Sequence, residues 1–218
     1  MNTISLIPRT KCVVSGNEDL ELLDTFKNTP VFMGCVQSLQ SDDVVADLSW
    51  TISRSSGLIQ SSGLVPLETL YPESHGSGST GRLWSAHHKA FAEFIHSSSP
   101  RSILEIGGAH GILSNEYESY ANIPWYIVEP NPSPIDNCKA RFIRGFFDDN
   151  FYFDQAVDTV VHSHVFEHLY EPDLFMHHLS GFMHDGDKLL FSLPNLKQML
   201  HNKYTNTINF EHTVFLTE

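Results

Sequence analysis

Apolar residues gather in short, nearly continuous runs that recur through the second half of the chain. "SILEIG" (102–107), "WYIVE" (125–129), "RFIRGFF" (141–147), "VDTVVHS" (157–163) and "KLLFSLP" (188–194) each read as a strand buried on both faces. Helical spacing separates most of them. Leu83, Trp84, Ala90, Phe91, Phe94 and Ile95 predict a helix over about Thr80 to His96 with Thr80 as its cap. Further helices are expected near Ile112 to Tyr120 and Pro172 to Met183, whereas "EPNPSPIDN" (129–137) carries three prolines and reads as loop. Five such strands with helices between them predict an α/β fold, a Rossmann-like parallel sheet covered on both faces.

The first 65 residues follow a different pattern. "PVFMGCV" (30–36) and "SGLIQSS" (56–62) are short strand-like pieces set among Ser, Gly and Asp, a β-rich module with too few apolar residues to stand alone. "YPESHGSGSTG", Tyr71 to Gly81, is uncharged but for one Glu and reads as a linker or lid. The expected division is therefore 1–70 as a small module, 71–82 as the linker and 83–218 as the main domain.

Composition narrows the function by exclusion. The net charge of −13, with no cluster of Lys or Arg, lacks the electrostatic footprint of a nucleic-acid binder. No apolar run approaches the ~20 residues of a membrane helix, and "MNTISLIPRTKC" has no secretory core. Three cysteines, an odd number, do not make a disulfide framework, so a reducing cytoplasm is expected.

The chemistry starts at "EIGGAHG", where the first strand of the sheet breaks into glycines before a helix. In such sheets ligands sit beyond the carboxyl ends of the strands. Gly107 would permit the tight turn, Gly108 and Ala109 follow, and Gly111 would let the helix pack close. The run does not match the G-x-G-x-x-G of dinucleotide sites, and Glu105 would place a negative charge by a pyrophosphate. A carboxylate suits a cation instead, and S-adenosyl-L-methionine (SAM) carries an ammonium and a sulfonium without phosphate. Glu129, 18 positions after Gly111 at the end of the second strand, can accept both ribose hydroxyls. After the third strand, Asp148 or its neighbour would bond the adenine amino group while Phe147 packs on the ring. A nicotinamide oxidoreductase fits these residues poorly. A non-catalytic SAM-binding or assembly protein remains the alternative to an enzyme.

With these residues in place, the chain resembles the class I SAM-dependent methyltransferases. More narrowly it is similar to sugar C-methyltransferases that carry a small N-terminal zinc-binding module. "LEIGGAHG", "SHVFEHLYEPDLF", "LPN" and "NFEHTVF" carry the likeness. It implies that Glu167, His168, Glu211 and His212 face the substrate cleft, and that the acceptor is a sugar or a nucleotide-linked sugar, methylated on carbon or oxygen. The resemblance breaks at the N-terminus. Where relatives hold zinc with two C-x-x-C pairs, this chain has Cys12 with Ser15 and Ser53 with Ser56. Neutral hydroxyls are poor zinc ligands and Cys35 does not restore the count, so no metal is expected. A complete sheet of this class has seven strands, against five counted here, so the expectation is either a short relative or a C-terminally truncated chain.

Methyl transfer needs a base to take a proton from the acceptor, a task that imidazole suits near neutral pH. His168 is the first candidate, with Glu167 beside it to orient an imidazole or to bind the amino-acid end of SAM. His212 with Glu211 is the second candidate. His164 would share a face with His168 if that segment were helical. Tyr71 and His75 would reach a site only through lid closure, and His87 and His88 read as surface.

Overall fold

The computed structural model describes residues 2–32, 43–71, 81–204 and 207–217. In chain order the strands and helices are β1 (Asn2–Thr3), β2 (Ile7–Pro8), β3 (Leu20–Pro30), β4 (Val44–Ser53), β5 (Ile59–Ser61), β6 (Gly63–Leu64), α1 (Leu67–Leu70) and α2 (Arg82–Ser97). They continue with β7 (Ile103–Ile106), α3 (Ile112–Tyr117), β8 (Trp125–Glu129), β9 (Arg141–Arg144), β10 (Thr159–Ser163), a 3-10 turn (Phe166–His168), α4 (Pro172–Phe182), β11 (Lys188–Ser192), α5 (Leu196–His201) and β12 (Val214–Phe215). The chain forms two compact units. One comprises Met1–Pro72, Phe166–Leu174 and Leu193–Glu218; the other comprises Glu73–Val165 and Phe175–Ser192.

The second unit holds the sheet expected from the apolar runs. Its strands are all parallel, in the order β11-β10-β7-β8-β9. Numbered within the unit, that order is 5-4-1-2-3, with the switch point beside β7, the arrangement of Rossmann-like methyltransferase folds. All four residues of β7 are buried, as are Trp125 to Val128 of β8. Continuous burial explains why these strands show no polar alternation. Phe91, Ala92 and Ile95 of α2 join Ile103, Leu113, Tyr117 and Ile127 in the core. The strand "RFIRGFF" ends at Arg144, because Gly145 turns the chain at a φ of 151°. Thr80, the expected cap of α2, lies outside the described residues; Gly81 occupies the N-cap position without a side-chain hydrogen bond.

The first unit is built around a sheet in which β1 pairs parallel with β4, β3 and β5 pair antiparallel with β4, and β12 pairs antiparallel with β5. The long β3–β4 pair is absent from the expectation. β4 points Leu48 and Trp50 into a core with Val31, Val65, Leu70, Leu196 and Phe215. β3 lacks alternation: Leu22, Leu23 and Phe26 are all exposed, so its pattern gives no strand signal. The C-terminal residues belong to this unit rather than to the parallel sheet, a long-range pairing that local periodicity does not carry. No described helix is long and apolar enough to cross a membrane.

Candidate functional site

The carboxyl edge of the parallel sheet carries the glycine turn, and its shape is set by close approach. Gly107 has a φ of 72°, and a Cβ there would lie 2.7 Å from Val165 Cγ2. A Cβ on Gly108 would meet the Glu105 carboxyl carbon and Ile127 Cγ2 at 2.7 Å each, and one on Gly111 would meet Cys138 Sγ at 2.5 Å. These distances fall well inside van der Waals contact, so the turn is specified by side chains packed beneath it. Ala109 carries a φ of 39°, a strained conformation for a residue with a Cβ.

The carboxylates near the turn divide into two environments. Glu129, at the end of β8, takes the Ala109 N–H on Oε2 at 3.2 Å and the Asn131 N–H on Oε1 at 3.0 Å. It lies across the turn, as the sequence places it. Glu105 differs from the expectation. It sits within β7, 3% exposed, and its Oε2 accepts the Trp125 indole N–H at 2.8 Å. Burial drives its carboxyl group up to about 7, against the Trp125 hydrogen bond and with a smaller push from the Glu129 charge.

Phe147 and Asp148 also part company. The Phe147 ring is 8% exposed and packs among Phe151, Phe175, His178 and Phe182. Phe175, His178 and Phe182 meet it edge to face. Asp148 is exposed and caps its own turn by accepting the Asn150 N–H at 2.9 Å. His110, in the turn itself, has Nδ1 at 2.6 Å from the Ser133 carbonyl. A carbonyl only accepts, so Nδ1 carries the proton and Nε2 the lone pair.

Three histidines near the same edge have more structure than the surface role expected of His87 and His88. His87 Nε2 lies 2.9 Å from Ser163 Oγ, which is in turn 2.9 Å from Ser192 Oγ; the two serines end β10 and β11. Trp84 makes edge contacts with His87 and His164 at 5.6 and 5.0 Å. Burial, then the neighbouring His164 and His88, lowers His87 to about 4, so its imidazole is neutral near pH 7. His164 has a φ of 54° and the residues after it form a 3-10 turn, so the α-helical pairing of His164 with His168 does not arise. The signal that would reveal His87 is its distance in space from Ser163 and Ser192, which no sequence window contains.

In the first unit, Glu167, His168 and His212 come together, each offering one donor atom within 4.8 Å of the others. The rings of His168 and His212 meet edge to face at 5.0 Å. Two backbone segments are pinned to make this possible. Thr213 N–H donates to the Glu167 carbonyl at 2.7 Å, and its hydroxyl bonds the Leu169 carbonyl. Arg9 clamps the same segments, donating to Thr213 O at 2.9 Å and Tyr170 O at 2.6 Å. Glu167 is 3% exposed. Glu211 Oε2 is 4.0 Å from His168 Nδ1, and the Tyr71 hydroxyl is 3.2 Å from that nitrogen. Burial, with help from the Glu211, Tyr170 and Glu167 charges, raises the Tyr71 phenol well above its ordinary value and keeps it protonated. Tyr71 thus joins the cluster directly; His75 lies outside the described residues. His212 Nδ1 lies 3.1 Å from the Thr207 carbonyl and 3.0 Å from its hydroxyl, so this histidine also holds its proton on Nδ1 and its lone pair on Nε2.

The two segments set against C-x-x-C pairs in the sequence comparison lie together. Cys12 Sγ is 3.2 Å from Ser56 Oγ and takes the Ser15 N–H at 3.5 Å, while Ser55 and Ser15 hydroxyls lie 3.3 Å apart. Asp19 accepts from the Ser53 hydroxyl at 2.9 Å and the Ser55 N–H at 2.7 Å. One thiol and three hydroxyls do not fit a structural zinc ion. Hydrogen bonds link the two loops, and Cys35 lies outside the described residues.

Comparison with known proteins adds the family. The plantazolicin methyltransferase BpumL, solved with SAH, is 16% identical with a TM-score of 0.43, covering 52% of this chain and 48% of its own. An O-methyltransferase family protein from Burkholderia thailandensis is 15% identical with a TM-score of 0.47, covering 62% and 48%. Human N-acetylserotonin methyltransferase, solved with SAM, is 16% identical with a TM-score of 0.48, covering 62% and 43%. This chain spans about half the length of these structures or less. A search of functionally characterised sequences finds no match. The family described as "Methyltransferase domain" matches residues 80–217, well over half the sequence and all of the parallel sheet, and the chain belongs to that family.

Proposed function

We propose that this chain is a SAM-dependent methyltransferase acting on a small-molecule acceptor, most simply a sugar or nucleotide-linked sugar, in the cytoplasm. Glu129 is the observation that carries the reading. Its carboxylate lies at the end of β8 and spans the Ala109 and Asn131 amides, where it can exchange a backbone donor for ribose hydroxyls. Gly107, Gly108, Ala109 and Gly111 provide close backbone approach beside it. Glu105 holds the turn from below, through its packing against Gly108. Asp148 is exposed and open to an adenine amino group, while Phe147 supports that loop through its aromatic neighbours.

When bound, SAM supplies a methyl group already activated by its sulfonium. The residues of the chain then have to hold the acceptor and remove its proton. We assign that work to His168, His212 and Glu211, with Glu167 as a buried carboxylate that orients the imidazoles. Tyr71 holds His168 through Nδ1. The sugar acceptor rests on the resemblance of "SHVFEHLYEPDLF" and "NFEHTVF" to sugar C-methyltransferases. In that reading residues 1–70 are a metal-free form of the zinc module, 71–82 a linker or lid, and 83–218 the methyltransferase part.

Calorimetric titration with S-adenosylhomocysteine, with NADH as a control, tests the reading. The expected result is binding of the first alone, weakened at least tenfold by Glu129→Ala. Failure to bind S-adenosylhomocysteine, or binding of NADH in its place, would overturn it.

A further inference from the structure

The three donors in the first unit have a composition and an arrangement that suit a metal ion as well as a proton. Two imidazoles and one carboxylate form the donor set of many sites for Zn²⁺ and its first-row neighbours, leaving at least one coordination position open. Across a tetrahedral zinc ion, adjacent ligand atoms lie roughly 3.3 Å apart, given bonds of about 2.0–2.1 Å. Glu167, His168 and His212 already hold their donors within 4.8 Å of one another, so a contraction of about 1.5 Å at most, within the reach of side-chain torsions, would close the site.

The supporting contacts match what a metal-binding histidine needs. His212 donates Nδ1–H to the Thr207 carbonyl, which fixes the ring as the second contact of a metal-binding histidine does. Its backbone is held at both ends: its N–H donates to Asn209 Oδ1 at 2.9 Å and its carbonyl accepts from Ser61 Oγ at 3.0 Å. His168 is held from its Nδ1 side by Tyr71. The Thr213 bond to Glu167 O brings the carboxylate-bearing turn against the His212 segment. Sequence separates Glu167 from His212 by 45 positions, so the constellation exists only in the fold.

We infer that Glu167, His168 and His212 form a three-donor site for a divalent transition metal, Zn²⁺ foremost, and that occupancy of this site switches off its acid–base role. The second half of the inference rests on the function proposed above; the first does not. A ring nitrogen bonded to a metal has no lone pair left to accept a proton, so metal and base exclude each other at these two residues. Zn²⁺ would then act as an inhibitor of the methyl transfer that these residues serve.

The experiment is titration of the full chain with ZnCl₂ by calorimetry, and with CoCl₂ by visible absorption, which reports nitrogen and oxygen ligation directly. One strong site per chain is expected. His212→Ala, His168→Ala and Glu167→Gln should each weaken it at least tenfold, while His201→Ala, an exposed histidine outside the cluster, should leave it unchanged. No binding, or binding indifferent to the three substitutions, would overturn the site. S-adenosylhomocysteine titrated into the same samples separates the two readings. Loss of metal binding with cofactor binding intact refutes the metal site alone; the reverse refutes the proposed function alone.

Discussion

Glu105 allows a quantitative prediction about stability. Its carboxyl group is shut inside β7, holds one hydrogen bond from Trp125 and supports Gly108. Burial raises it from 4.5 to about 7. Because the folded value is raised, the native state holds this proton more tightly than the unfolded chain does. The associated stability is therefore fully present below pH 4.5 and is lost as pH rises through about 7. At about 1.4 kcal/mol per unit, the loss between pH 5 and pH 8 amounts to roughly 2.5 kcal/mol. Glu105→Gln keeps the shape and an acceptor for the indole but cannot ionise. Urea denaturation of both proteins at pH 5, 6, 7 and 8, followed by tryptophan fluorescence, measures the difference directly. The variant should gain roughly 2.5 kcal/mol on the wild type across that range, whatever its offset at pH 5 from the added amide N–H. Two profiles that run parallel from pH 5 to pH 8 would refute the reasoning, since they would mean that Glu105 titrates alike in folded and unfolded chains.

Two further outcomes are expected. Gly108→Ala would drive a methyl group into the Glu105 carboxyl and Ile127, costing about 1–3 kcal/mol as an overpacked site does and weakening S-adenosylhomocysteine binding; a melting curve and a titration that match the wild type would contradict the packing argument. Placing three thiols as Ser15→Cys, Ser53→Cys and Ser56→Cys beside Cys12 should create a tetrahedral zinc site where the two loops already meet, read as one zinc per chain by elemental analysis in the His212→Ala background, and a zinc-free product from zinc-supplemented growth would show that the loops do not hold that geometry.

The centre of the parallel sheet was legible because β7 and β8 are buried on both faces and therefore written as nearly unbroken apolar runs, whereas β9 and β11 are part-exposed; "WYIVE" corresponds residue for residue to β8. The glycine turn and Glu129 were legible for a related reason, since strand ends position them. The first unit was not. β3 exposes Leu22, Leu23 and Phe26 and so has no period, and β12 pairs with β5 across some 150 positions. Side-chain environments were the least accessible. Whether a glutamate next to a glycine turn faces a ligand or an indole depends on Trp125, one strand away, and the surroundings of Phe147 come from α4, which no local pattern connects to it.

The make-up of the first unit has a consequence for how the chain acquires its structure. That unit is assembled from three separate stretches, 1–72, 166–174 and 193–218, with the whole parallel sheet encoded between them. The β3–β4 pair is made early, yet β12, which closes β5, and the Thr213 segment that Arg9 holds are made only after the whole parallel sheet. Until then Leu48 and Trp50 lack Leu196, Phe210 and Phe215, their core neighbours from the C-terminal stretch. The parallel sheet is complete once residue 192 has been made, whereas the sheet of the first unit waits for β12. Such long-range closure slows folding and leaves a vulnerable intermediate. For the same reason, cutting the gene at a single boundary near residue 70 would yield a fragment lacking β12 and α5, not an isolated domain.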